Sequence, residues 1–329
     1  MKKTFFLLLI SAVLAVGCKK NIESHDVQAL VIPSLNTSSI DNKVKVECDI
    51  FNLDFPDIVI GTVIDLEYVD SCFYVLDDRG QVVAFPRYAS KNPYSMMRVG
   101  NGPDEYLQAS SISVDRDALY LLDMATNTVK KYDNEFKYLS SIKLDMMSMG
   151  MGVYNNTILI GNLDMKAGNY EVIAIDYDGN IAGKFIEGTP ELPEYIVSSA
   201  HFCHVGDSLA VLPRTVDTFY VWDGSSLSPR YGFEFTDKKS TDQPLTLTMT
   251  HCFVIGKSVL LSCIFEGKRI YCIATPETGQ VISGRIQKTV DGHPFYPRWN
   301  SCDGLLFGYE PAEDGGNGNI LIYTMQISD

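Results

Sequence analysis

The feature that most constrains the fold is a repeat. Five stretches share one pattern: CFYVLDDRGQVVAFP, ALYLLDMATNTVKKYD, TILIGNLDMKAGNYEVIAID, SLAVLPRTVDTFYVWD and SVLLSCIFEGKRIYCIAT. In each, a run rich in β-branched and aromatic residues passes through a polar or glycine-containing turn into a second such run. That is a hairpin, and the copies recur roughly every 40 to 50 residues, the period of propeller blades. Turns such as YDNEF, DYDGN, WDGSS and PETGQ join a third strand to a fourth, with Asn, Asp and Gly where φ > 0 is needed. No long 3.6-residue periodicity follows the first residues, so helices are not expected in the rest of the chain.

Counting gives five four-stranded units: Ile60 to Gly100, Gln108 to Leu144, Met149 to Gly188, Val197 to Phe235 and Leu247 to Ile286. A sixth, Trp299 to Ser328, has room for three strands only. An open blade edge is a liability that ring closure removes. The spare strand is KVKVECDIF, Lys43 to Phe51, at the other end of the chain. The expected fold class is therefore all-β: a six-bladed β-propeller, its ring closed by an N-terminal strand completing the last blade.

RVGNGPDEY, Arg98 to Tyr106, falls between the outer strand of the first unit and the inner strand of the second. Gly100 and Gly102 let the chain reverse and Pro103 stiffens the crossing. A phosphate-loop reading is poor, because the stretch has no P-loop lysine and no helix follows it. EGTPELPEY, two units later, echoes it.

The chain begins MKKTFFLLLISAVLAVGC. Lys2 and Lys3, an apolar run from Phe5 to Val16, then Gly17 and Cys18 read as an export signal, too short for a stable span. Gly17 before Cys18 resembles the lipobox of bacterial lipoproteins, which implies lipidation of Cys18. The expected divisions are 1–17 as signal peptide, 18–42 as lipidated cysteine and tether, and 43–329 as propeller. Together with the six-fold repeat and the corner Gly100-Asn101-Gly102-Pro103-Asp104-Glu105-Tyr106, this resembles the six-bladed β-propeller lipoproteins of Bacteroides-type bacteria, grouped as TolB-like or NHL-like propellers. Asp104 stands where that family often has glycine. The resemblance implies fold and compartment, an outer-membrane lipid anchor, and almost nothing about chemistry. Lys19 and Lys20 are unlike the acidic cluster of surface-exported lipoproteins, which favours the periplasmic side.

The formal charge is −14, and becomes −16 without residues 1–17. Such a surface repels nucleic acid and anionic head groups, so nucleic acid is not an expected partner. Beyond Cys18, the cysteines at 48, 72, 203, 252, 263, 272 and 302 are odd in number and lack zinc-ligand spacing. Most lie in apolar runs and are expected to be buried free thiols, although Cys263 and Cys272 could share a hairpin face.

Propellers bind ligands at the mouth of the central channel. Superposing HVGDSLAVL on FVIGKSVLL puts His201 and His251 at one register of successive inner strands. The matching positions are Asp65, Ser111 and Gly150 in the first three units, and Pro297, beside Arg298 and Trp299, in the sixth. The candidate ligand-binding cluster is Asp65, His201, His251, Arg298 and Trp299, with Arg98 nearby for an anionic ligand. Two chemistries remain open: polar contacts to a ligand, or a divalent metal held by His201, His251 and a carboxylate. No cofactor is otherwise predicted. His204, three residues from His201, is expected to face the other way. DYDGN imitates the start of a calcium loop, but hairpin-turn chemistry explains it better. Tyr88, Tyr94, Tyr106, Tyr195, Phe295, Tyr296 and Trp299 are candidates for exposed aromatics that could stack on sugars. The leading expectation is a monomeric, lipid-anchored envelope module that binds a protein, peptide or glycan. The alternative is a metal-assisted lyase or hydrolase acting on a glycan or lactone.

Overall fold

The structure, a computed structural model, describes residues 27–32, 35, 38–88, 92–116, 118–165, 168–188, 200–236, 247–287, 289–312 and 316–327. The expected signal peptide, Cys18 and Tyr195 lie outside these residues, as does most of the EGTPELPEY echo.

A run such as ALYLL, in the strand Ala118–Asp123, is apolar at every position because both of its faces are buried. Leu119 and Leu121 pack towards the first repeat, while Ala118, Tyr120 and Leu122 pack towards the third. The same division recurs around the chain. Six hydrophobic clusters form, each shared by two consecutive repeats, and the last joins the sixth repeat to the first through Trp299, Phe307, Val63 and Phe73. The protein is thus a six-bladed β-propeller, with six small sheets in a ring and no helix among the described residues.

Inner strands are Val63–Val69, Ala109–Asp115, Ser148–Tyr154, His201–His204, Leu247–Ile255 and Trp299–Asn300, in blades 1 to 6. Blade 6 is completed by Val44–Asn52, which runs antiparallel to Asn319–Ile327 from Val44↔Ile327 to Asn52↔Asn319. Val44 and Val46 are buried on its inner face. The closing strand is the one the sequence leaves over.

The segment expected to be a tether differs. Gln28–Ile32 pairs in parallel with Leu227–Phe235 and makes blade 4 five-stranded. Leu30 and Ile32 enter the cluster between blades 4 and 5, so these aliphatics are core residues. A five-residue strand with no hairpin partner beside it carries no repeat signature, which hid it in the sequence.

The corner at 98–106 is structural. Gly100 N donates to Tyr106 O at 3.0 Å and Tyr106 N donates to Arg98 O at 3.0 Å, while the fully buried Tyr106 hydroxyl donates to Gly80 O. Gly100 and Gly102 are not at positive φ. Their role is space: a Cβ on Gly100 would lie 2.6 Å from the Glu105 carboxyl carbon, and that carboxylate accepts Gly102 N at 2.7 Å. In DYDGN the Asp176 carboxylate accepts the amides of Asp178 and Asn180, and Gly179 has φ 87°, a hairpin turn satisfied from within. All seven described cysteines are thiols rather than disulfides. Cys203, Cys252, Cys263 and Cys272 sit in the blade 4–5 cluster, whereas Cys302 is exposed.

Candidate functional site

Each innermost strand is the free edge of its blade and faces the ring axis. In blades 1, 2, 3 and 5 it carries a β-bulge near its start, after which Asp65, Ser111, Gly150 and His251 resume pairing, opposite Leu76, Leu122, Gly161 and Ser262. His201, without a bulge, pairs with Leu212. Bulges turn side chains out of the ladder. A cavity of about 260 Å³ forms at this end of the channel, bordered by Asp65, Glu67, Ser111, Met149, His201, His204, Arg214, His251, Arg298, Trp299 and Asn300.

The cavity has two unlike halves. On the blade 1 side, Asp65 accepts from Ser111 Oγ (2.9 Å), Ile112 N (2.8 Å), Leu66 N (3.0 Å) and Trp299 Nε1 (3.1 Å). One carboxylate therefore ties blade 1 to blades 2 and 6. Burial pushes its pKa up, and these four donors oppose the rise. Glu67, two residues along the same strand, is pushed well up by burial and by the Asp65 charge. It lies 3.9 Å from His204 Nε2.

On the blade 4 and 5 side, the His201 and His251 rings meet edge to face with centroids 4.9 Å apart, and Phe253 contacts both. Burial, then the Arg214 charge, lowers the His201 pKa to about 3. Burial holds His204 down, and His251 is lowered further by His201 and by Arg214, Arg269 and Arg298. All three imidazoles are neutral near pH 7, and each offers one donor and one acceptor. His201 Nε2, His204 Nε2, His251 Nδ1 and Asn300 Oδ1 are buried and have no hydrogen-bond partner among the described residues. Asn300 Nδ2, by contrast, donates to His204 O (2.8 Å) and Ser301 O (2.9 Å).

The arginines serve backbone. Arg214 Nη1 donates to Met249 O and Thr250 O, and its own amide donates to Glu171. Arg298 reaches Val63 O and Ile64 O and lies 4.5 Å over the Trp299 ring.

Of the residues singled out in sequence, the fold brings together Asp65, His201, His251, Arg298 and Trp299. Arg98 is elsewhere, held in the 98–106 corner by Asp104 (2.6 Å) and Phe136 O (3.1 Å). Pro297 does not line the cavity, because blade 6 enters it one residue later. His204 does line it, since both faces of a free-edge strand border the channel. Glu67, Arg214 and Asn300 were missed, although Glu67 stands two residues from Asp65 and so shares its face. Tyr106, Phe295 and Trp299 are packing aromatics, 9% exposed or less, while Tyr88, Tyr94 and Tyr296 are exposed.

The residues present do not make a metal site. Among the described residues no three His, Cys, Asp or Glu side chains are placed to hold an ion, and the Asp65 oxygens already take four donors.

Residues 56–317 match the domain of unknown function DUF4934. The chain belongs to the DUF4934 family. No curated protein matches it. Among solved structures it is similar to an exported protein from Bacteroides fragilis, at 14% identity and a TM-score of 0.72 over 92% of this chain and 100% of that one. It is also similar to a DUF4221 family member from Bacteroides vulgatus, at 11% identity and a TM-score of 0.58, over 88% of this chain and 100% of that one. At these identities the likeness shows the fold.

Proposed function

We propose that this DUF4934 propeller is a lipid-anchored envelope binding protein whose channel-mouth cavity takes a small, uncharged, hydroxyl-rich ligand, such as one sugar unit of a glycan. The observation that carries the reading is the set of four buried polar atoms without partners, on His201, His204, His251 and Asn300, all bordering one cavity. Buried polar groups are almost always satisfied, so such a set points to a ligand that supplies both donors and acceptors. Hydroxyl groups do both. The charged side chains of the cavity are largely engaged by the protein itself, which favours a neutral ligand over an ion. A cavity of about 260 Å³ lies just below the roughly 300–1,000 Å³ of drug-sized pockets and suits a single ring.

The envelope part rests on the apolar run Phe5 to Val16 followed by Gly17 and Cys18. The similar Bacteroides fragilis structure is of an exported protein. Lys19 and Lys20 favour the periplasmic face of the outer membrane.

The test is a thermal-shift panel of uncharged monosaccharides and polyols against the wild type and the His251→Ala and Asn300→Ala variants. At least one compound should raise the wild-type melting temperature and leave both variants unmoved. A panel without a binder, or binding indifferent to both substitutions, overturns the cavity reading. Loss of membrane association in Cys18→Ala tests the anchor separately.

A further inference from the structure

A second pocket, of about 500 Å³, lies where blade 5 passes into blade 6. Lys268, Arg269, Arg285, Gln287, Tyr271 and Phe295 line it, with Gly267 and Ile286. Three cations converge there, and among the described residues no carboxylate lines the pocket. In a chain with 41 acidic and 27 basic side chains this runs against composition. Elsewhere the bases find acids readily, as Arg79 finds Asp77, Arg98 finds Asp104 and Lys257 finds Glu277. Among the described residues, Lys268 and Arg285 have no carboxylate within ion-pair distance and no side-chain hydrogen bond.

Two of the cations are also positioned, Arg269 through its side chain and Arg285 through its backbone. Arg269 Nη1 donates to Ser262 Oγ at 2.7 Å and lies near Thr250 Oγ1 at 3.4 Å, and its guanidinium sits 4.0 Å over the Tyr296 ring. Those partners fix its plane and leave its charge intact. Arg285 is pinned through its backbone: its amide donates to Ser38 O at 2.8 Å and its carbonyl accepts Ile40 N at 3.0 Å. Asp41, the carboxylate next along that crossing segment, is used on Ser39 Oγ and the Gln287 amide. Holding like charges together costs free energy, and an anion in the pocket removes that cost. A fixed guanidinium plane, such as that of Arg269, matches an oxyanion in bidentate geometry.

We propose that Lys268, Arg269 and Arg285 form a binding site for a multiply charged oxyanion, a phosphate or sulfate group, free or carried on a larger molecule. A single carboxylate would offset only one of the three charges. The site is independent of the cavity reading, since it shares no lining residue with that cavity.

The test follows the side-chain Nε–H resonances of Arg269 and Arg285 by NMR, at constant ionic strength, during titration with inorganic phosphate, sulfate or acetate. Saturable shifts are expected with phosphate or sulfate, and about tenfold weaker ones, or none, with acetate. The midpoint should rise about tenfold or more in Lys268→Ala, whose exposed side chain leaves folding intact. The preferred anion of the first two identifies the group. Three outcomes would overturn the site: linear shifts equal for all three salts, equal saturation with acetate, or an unchanged midpoint in Lys268→Ala.

Discussion

Asp65 and His201 occupy the same register on inner strands of blades 1 and 4, border the same cavity, and differ in almost everything else. Asp65 has four donors from three blades. His201 has a buried ring nitrogen with none. One position in the repeat thus serves as a tie that holds the ring and as a group kept open towards the channel. Being channel-lining therefore does not make a residue a ligand contact. What separates the two uses is whether the protein itself completes the hydrogen bonds.

The contrast breaks first at Asp65. Asp65→Ala leaves the Ser111 hydroxyl, the Ile112 amide and the Trp299 indole N–H without their acceptor. Each such loss costs about 1–3 kcal/mol, not fully additive, so the variant should lose about 3–5 kcal/mol in urea denaturation. A loss below about 1 kcal/mol would mean that these donors find other acceptors and that the tie is not one.

Acid sharpens the comparison, because the two halves titrate with opposite sign. The His201 pKa is about 3 in the folded protein, below the unfolded value of 6.5. Between those values the unfolded chain binds the extra proton, so this contribution is complete above pH 6.5 and is lost as pH falls towards 3. Asp65 and Glu67 are raised instead, so their contribution is present below the unfolded carboxylate values and is lost as pH rises through their folded values. His201→Gln removes one histidine from the acid limb. Its stability relative to wild type should improve by on the order of 2 kcal/mol on going from pH 7.5 to pH 5. Parallel pH profiles for the two proteins would show that His201 is protonated in the folded state.

Much of the ring was legible because it is written locally. Hairpins such as Ala118–Asp133 carry their turn and both strands within sixteen residues, and the shortage of one strand in blade 6 pointed to Val44–Asn52. Register was legible too, which is why Asp65, His201 and His251 arrive at one cavity. Their roles were not. Asp65 owes its four bonds to partners as far away as Ser111, 46 residues on, and Trp299, 234 residues on. Nothing local to VIDLE or SISVD announces those pairings. Arg98 failed for the opposite reason: its partner Asp104 is only six residues away, inside a corner that uses both. In sequence the glycines of that corner suggest backbone freedom, whereas in the structure the Glu105 carboxylate occupies the space a side chain would need.

The smallest expected effect is also the most discriminating. At pH 7.5, His201→Ala removes ring contacts with His251 and Phe253, at 4.9 Å and 5.5 Å between centroids. It also removes a buried nitrogen that has no partner, and relief of an unsatisfied polar group offsets much of the lost packing. The net change in unfolding free energy should fall within about 1 kcal/mol, far below that of Asp65→Ala. The two variants, measured side by side in urea, compare one register position in its two uses. If His201→Ala costs as much as Asp65→Ala, the imidazole is a ring tie with a partner of its own, and the open half of the cavity is closed.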